Sequence, residues 1–129
     1  MSALFEAKNI SVSYGQVAAV QNVAVSVGLG QIVAIVGGNG AGKTTLLHAL
    51  MGFLKCEGKI DFDGLSITHL TVEERSEIGL SLVPETRALF GEMSVLNNLE
   101  LGTFPRYRRG ERNLRQDFDA VFDRFPRLA

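Results

Sequence analysis

Tryptophan is absent from the 129 residues, cysteine occurs once and proline three times. A lone Cys56 closes no intrachain disulfide, which excludes a disulfide-stapled scaffold and makes a reducing cytoplasm the expected setting. With 46% hydrophobic and 21% charged residues, the composition is not that of a disordered or collagen-like chain. Charge of one sign is missing too. Thirteen Lys and Arg stand against fourteen Asp and Glu, a net charge of −1, so no positive field draws the chain to nucleic acid. No apolar run approaches the roughly 20 residues that cross a bilayer, so any membrane must be spanned by another chain. The start MSALFEAKN lacks the basic flank and apolar stretch of a signal peptide. Two histidines and one cysteine show no metal-ligand spacing, and no Ser/His/Asp arrangement is readable.

What is present is patterned, in a length that suits one domain with one sizeable core. Ile10, Val12 and Tyr14 alternate with polar residues, as do Val23, Val25 and Val27 with smaller ones, and period two predicts half-buried antiparallel strands. Ile32-Val33-Ala34-Ile35-Val36 is apolar on both faces, as a central parallel strand would be. Thr44 to Met51 reads as a helix ended by Gly52. Asp63-Gly64 between two β-type runs predicts a hairpin, and Thr71 with Glu74 a capping box opening a short helix to about Ile78. Gly79 to Val83 is a second buried-strand candidate stopped by Pro84, followed by a loop over 85–92 and a short helix capped by Ser94. Leu114, Phe118, Val121, Phe122 and Phe125 form one helical stripe. Arg106, Arg108, Arg109, Arg112 and Arg115 crowd the start of that last helix, the reverse of what its dipole prefers; they form either a solvated face or a partner surface.

The chemistry is concentrated between strand and helix. Gly37-Gly38-Asn39-Gly40-Ala41-Gly42-Lys43-Thr44 matches G-x-x-x-x-G-K-[ST] at every fixed position. Such a loop aims backbone amides at phosphate oxygens, which requires residues without an obstructing Cβ and a helix whose positive end faces the anion. Lys43 would set its ammonium against the β- and γ-phosphates, Thr44 would complete a Mg²⁺ shell, and Thr45 could donate to the α-phosphate. The expected ligand is ATP with Mg²⁺, the only metal implied.

Further segments carry a resemblance. Tyr14-Gly15, VAVSVGLGQIVAIVGGNGAGKTTLL, GKIDFDG and LVPETRALFGEMSVLNNL follow the order seen in ABC-type ATPases, and the stretch after Leu80 looks most like the ATP-binding subunits of branched-chain amino acid importers. The resemblance implies an α/β P-loop NTPase fold: an antiparallel β part over 1–30, part of a P-loop core with a parallel sheet over 31–85, and the start of a helical subdomain over 86–129. Tyr14 then stacks on adenine, or is simply a strand residue facing the core. Glu85 contacts Mg²⁺ and the attacking water, or is a plain loop carboxylate. Implied partners are transmembrane permease subunits and a second ATP-binding subunit on the cytoplasmic face of the membrane, the whole powering amino acid uptake. Gly38 departs from the proline usual in this loop, and Leu96-Asn97 from the usual acidic pair.

The resemblance also implies parts that these residues do not include: the serine-glycine-glycine signature, the Walker B aspartate with its glutamate, and the switch histidine, which neither His48 nor His69 matches. The expectation is that binding outlives turnover, leaving a non-hydrolysing fragment as the alternative function. An unpartnered apolar edge at Ile32 to Val36 would make the isolated chain marginally soluble.

Overall fold

A hairpin of two long strands opens the chain: β1, Phe5–Tyr14, and β2, Val17–Val27, pair antiparallel. The computed structural model describes residues 3–129. The chain forms two compact units, one up to Leu82 and one Val83–Ala129.

In the first unit β1 lies between β2 and β3, Glu57–Phe62, and β4, Leu65–Ser66, closes a four-stranded sheet in the order β2-β1-β3-β4. The expected alternation holds only in pieces. Ala7 and Ile10, three residues apart, are both fully buried because the ladders slip between them, with Asn9 at φ 55°. Opposite the slip, Gly58 sits at φ +108°, and a Cβ there would lie 2.4 Å from the Lys8 carbonyl oxygen. Asn and Gly at the two sides of this bulge tolerate the left-handed backbone it demands. The β3–β4 turn is as the sequence predicts: Asp63 and Gly64 at φ 47° and 78° suit a tight primed turn.

Helix α1, Lys43–Met51, lays Leu46, Ala49 and Leu50 on the sheet, where they join Ala7, Ile10, Val12, Val20, Ile60 and Ile67 in one core. Each large apolar side chain buried there contributes about 1.5–3 kcal/mol. Gly52 ends α1 in the left-handed conformation, donating to the carbonyls of His48 and Ala49. Helix α2, Val72–Glu77, starts on the predicted capping box: the Glu74 amide donates to Thr71 Oγ1 at 3.3 Å, and the Thr71 amide to Glu74 Oε2 at 2.7 Å.

Two expectations fail. Neither 32–36 nor 79–83 is in a sheet. Ile32 is 99% exposed, and Val36 and Val83 are nearly as open. Ile35 and Leu80 do turn in against the core, and Val33, Ile35, Leu80 and Leu82 line an apolar cleft of about 350 Å³. The physical reason is that a strand exists only as half of a ladder, and these segments have no ladder partner among the described residues.

In the second unit the loop after Pro84 leads to α3, Val95–Gly102, α4, Phe104–Arg108, and α5, Arg115–Arg124, with a final 3₁₀ turn Pro126–Leu128. Ser94 caps α3 by accepting from the Asn97 amide at 3.1 Å. Asn98 ties the preceding turn to α3: its Oδ1 accepts from the Phe90 amide, and its Nδ2 donates to the carbonyls of Phe90 and Ser94. The apolar stripe at the end is only half-covered, with Phe125 54% exposed. Arg106 bonds Glu111 at 2.6 Å and Asp117 at 2.8 Å, and the Arg112 guanidinium lies 3.9 Å from the Tyr107 ring centroid. The crowded cations are thus partly answered locally, by exposed pairs that solvent screens. No helix among the described residues is long and apolar enough to cross a membrane.

Candidate functional site

The glycine loop follows the unpaired 32–36 segment and enters α1 directly. Gly40 and Gly42 lie at φ 81° and 90°, so the chain can turn sharply just before Lys43. The Ala41 amide donates to Gly38 O at 3.2 Å, and the Leu46 amide to Gly42 O at 2.8 Å, which begins the helix. Gly42 is held from below, since a Cβ would meet the Ala19 carbonyl oxygen of β2 at 2.5 Å. Nothing in the sequence motif announces this strand contact, because it arises from a residue 23 positions away. Gly38 is under no such constraint: a Cβ there meets nothing within 4 Å.

The loop suits an anion. Helix α1 has no side-chain cap and no acidic residue in its first turn, so its leading amides and positive end are not already answered by the protein's own carboxylates. Lys43 adds a full charge. Its Nζ donates to Gly37 O at 2.6 Å and Gly38 O at 2.7 Å, folding the side chain back over the loop. Tyr14 at the end of β1 stands beside this ensemble, half exposed, its hydroxyl 3.4 Å from Thr45 Oγ1 with either atom able to donate.

Thr44 is exposed at the helix start. Among the described residues no cluster of three or more His, Cys, Asp or Glu could hold a metal ion. The Thr44 hydroxyl is a single hard oxygen donor, of the kind Mg²⁺ takes alongside phosphate oxygens and water. The structure gathers Tyr14 and 37–45 in the first unit. Glu85 is exposed on a bend of the second.

The sequence profile of the ABC transporter family matches residues 20–128. The xylose import ATP-binding protein XylG of Histophilus somni is 37% identical over 105 residues, 79% of this chain and 21% of that protein. The galactose/methyl galactoside import ATP-binding protein MglA of Sodalis glossinidius is 37% identical over 123 residues, 93% of this chain and 24% of that one. A nucleotide-free ATP-binding cassette from an ABC transporter superposes with a TM-score of 0.73 at 33% identity, covering 90% of this chain and 45% of that one. The ADP conformation of MJ1267, an ATP-binding cassette of an ABC transporter, gives 0.72 at 33%, with 92% and 46% covered. The chain spans about a quarter of the length of these sugar-import relatives and under half that of the solved cassettes. The P-loop NTPase fold of an ABC cassette, with its antiparallel β part, is borne out. The branched-chain amino acid type finds no support in these relatives, which are named for xylose and galactose import.

Proposed function

The chain belongs to the ABC transporter family, and from that premise we propose that its first unit binds the phosphates of ATP with Mg²⁺ and serves a transporter that imports a sugar. One observation carries the binding reading: a glycine loop with Lys43 folded over it enters an uncapped helix that has no acidic residue in its first turn. In this reading Lys43 transfers its hydrogen bonds from Gly37 O and Gly38 O to phosphate oxygens. The loop amides from 38 to 44 supply the remaining donors, and Thr45 donates to the α-phosphate. Thr44 would hold Mg²⁺, which when bound neutralises charge between the β- and γ-phosphates. Half exposed and next to Thr45, Tyr14 offers its ring to adenine. Glu85, in the second unit, is proposed on the family resemblance alone as a water-orienting carboxylate of the complete subunit. Sugar as cargo rests on the names of the xylose and galactose import relatives.

Permease subunits and a second ATP-binding subunit are the proposed partners, and hydrolysis is proposed of the complete subunit, of which these residues are the phosphate-holding part. Calorimetric titration with Mg·ATP tests the binding reading: Lys43→Ala should lose most of the affinity while its circular dichroism stays that of the parent. Equal affinity in that variant overturns it.

A further inference from the structure

Arg75 is the one buried charged residue among the described residues, 2% exposed. Its guanidinium donates four hydrogen bonds, all to backbone carbonyls. Nη1 donates to Leu50 O at 2.7 Å and Ala49 O at 3.3 Å, Nη2 to Thr68 O at 3.0 Å, and Nε to Leu70 O at 3.1 Å. Two of these carbonyls belong to the last turn of α1, the helix that the glycine loop enters; the other two belong to the segment between β4 and α2. A single rigid fork therefore joins the negative end of α1 to the chain that follows the β3–β4 hairpin.

The surroundings are shaped for this fork. Gly52, at φ +94°, lies under it, and a Cβ at that position would approach Arg75 Nε to 3.2 Å and Cζ to 3.3 Å. Burial lowers the pKa of Arg75 while the nearby Cys56 thiol raises it, and the guanidinium remains a cation at any physiological pH. A buried cation without a carboxylate is costly, and here carbonyl oxygens at a helix C-terminus take the carboxylate's place.

We propose that Arg75 is a positioning residue for the nucleotide site, fixing the angle and height at which α1 presents the Gly37–Thr45 loop to phosphate. At about 1.5 Å rise per residue, the nine residues of α1 form a short stiff rod. The sheet holds its flank and Gly42 rests on Ala19 at its front, leaving rotation and tilt to be set at the rear, where Arg75 holds Ala49 and Leu50. Loss of the fork frees the rear carbonyls and lets the loop amides swing off the phosphate oxygens, a displacement to which positioned donors are steeply sensitive.

This assignment rests on the nucleotide-binding reading, and the experiment separates the two. Mg·ATP affinity of the 129-residue chain is measured alongside the nucleotide-free amide resonances of Gly40 and Gly42. The proteins compared are the parent, Arg75→Lys, Arg75→Ala with and without methylguanidinium, Gly52→Ala, and Ile67→Val as a core-destabilised control. Arg75→Lys keeps the charge but cannot reach four carbonyls at once. It should bind about tenfold more weakly and shift both glycine resonances. Gly52→Ala should act in the same direction, methylguanidinium should restore affinity to Arg75→Ala, and Ile67→Val should lose stability without losing affinity. Should Arg75→Ala fail to fold, Arg75→Lys and Gly52→Ala decide. A lowered melting temperature in those variants, with unchanged affinity and unmoved glycine resonances, gives Arg75 a purely structural role and overturns the inference. A parent chain that does not bind Mg·ATP overturns the nucleotide-binding reading and this one with it.

Discussion

Strand β3, Glu-Gly-Lys-Ile-Asp-Phe, has only two residues that favour β structure and the 32–36 segment, Ile-Val-Ala-Ile-Val, has four in five, yet it is β3 that forms the strand. Ile60 in β3 is fully buried, its neighbours laddered to β1 and its own amide taken by Thr68 Oγ1 at 2.9 Å. Ile32 is 99% exposed, in a segment without a ladder among the described residues. Apolar, β-branched sequence supplies the tendency, and a neighbour with free peptide groups supplies the strand. Hydrophobicity alone still acts on the unladdered segments, pulling Ile35 of 32–36 and Leu80 of 79–83 onto the core.

Hydrogen exchange would break this comparison most directly. Amides of Ala7, Ile10 and Ile60 should be protected on the order of a thousandfold or more over those of Val33 to Val36, and equal protection would mean that the second segment has found a ladder. Next in size, Ile60→Ala should cost about 3 kcal/mol in urea unfolding, whereas Ile32→Ala should stay within about 0.5 kcal/mol. Glycine sharpens the contrast from another side. Gly58→Ala is both strained and blocked by the Lys8 carbonyl and should cost about 2 kcal/mol by thermal melting, while Gly38→Ala, with open space around it, should leave the melting temperature nearly unchanged.

The smallest effect is one of pH. Burial raises the pKa of the Cys56 thiol, against a weaker downward pull from Arg75. A group whose pKa is raised by folding holds more protons when folded. The stability it contributes is therefore intact below the ordinary thiol pKa and is lost as pH climbs through the raised one. Stability should fall by a fraction of a kcal/mol above about pH 9, and Cys56→Ala should flatten that slope in urea titrations across the alkaline range.

What the sequence made legible was local. The Asp63-Gly64 turn, the Thr71–Glu74 box, the Ser94 cap and the glycine loop before α1 each depend on residues within a few positions of one another, and each is present as read. The features that escaped involve distant partners. The bulge at Asn9 needs Gly58 across the sheet, Gly42 rests on Ala19, and Arg75 looks like one more surface cation of α2 until its four acceptors are in view. The missing ladders at 32–36 and 79–83 belong to the same class, since no residue within either segment says whether a neighbour exists. Cargo lies further out still: the glycine loop is indifferent to what is carried, and the resemblance to amino acid importers gave way to the names of sugar-import relatives.

Lys43 bridges Gly37 O and Gly38 O. Glycine-rich chain is the most entropically expensive kind to immobilise, and a loop left to order itself around an incoming phosphate would give up part of its affinity in doing so. With the ammonium already bracing the carbonyls, that ordering is completed when the protein folds. If the proposed phosphate site is right, an arriving polyanion would meet donors at rest, and its affinity would depend on swapping one set of acceptors for another more than on taming a mobile loop.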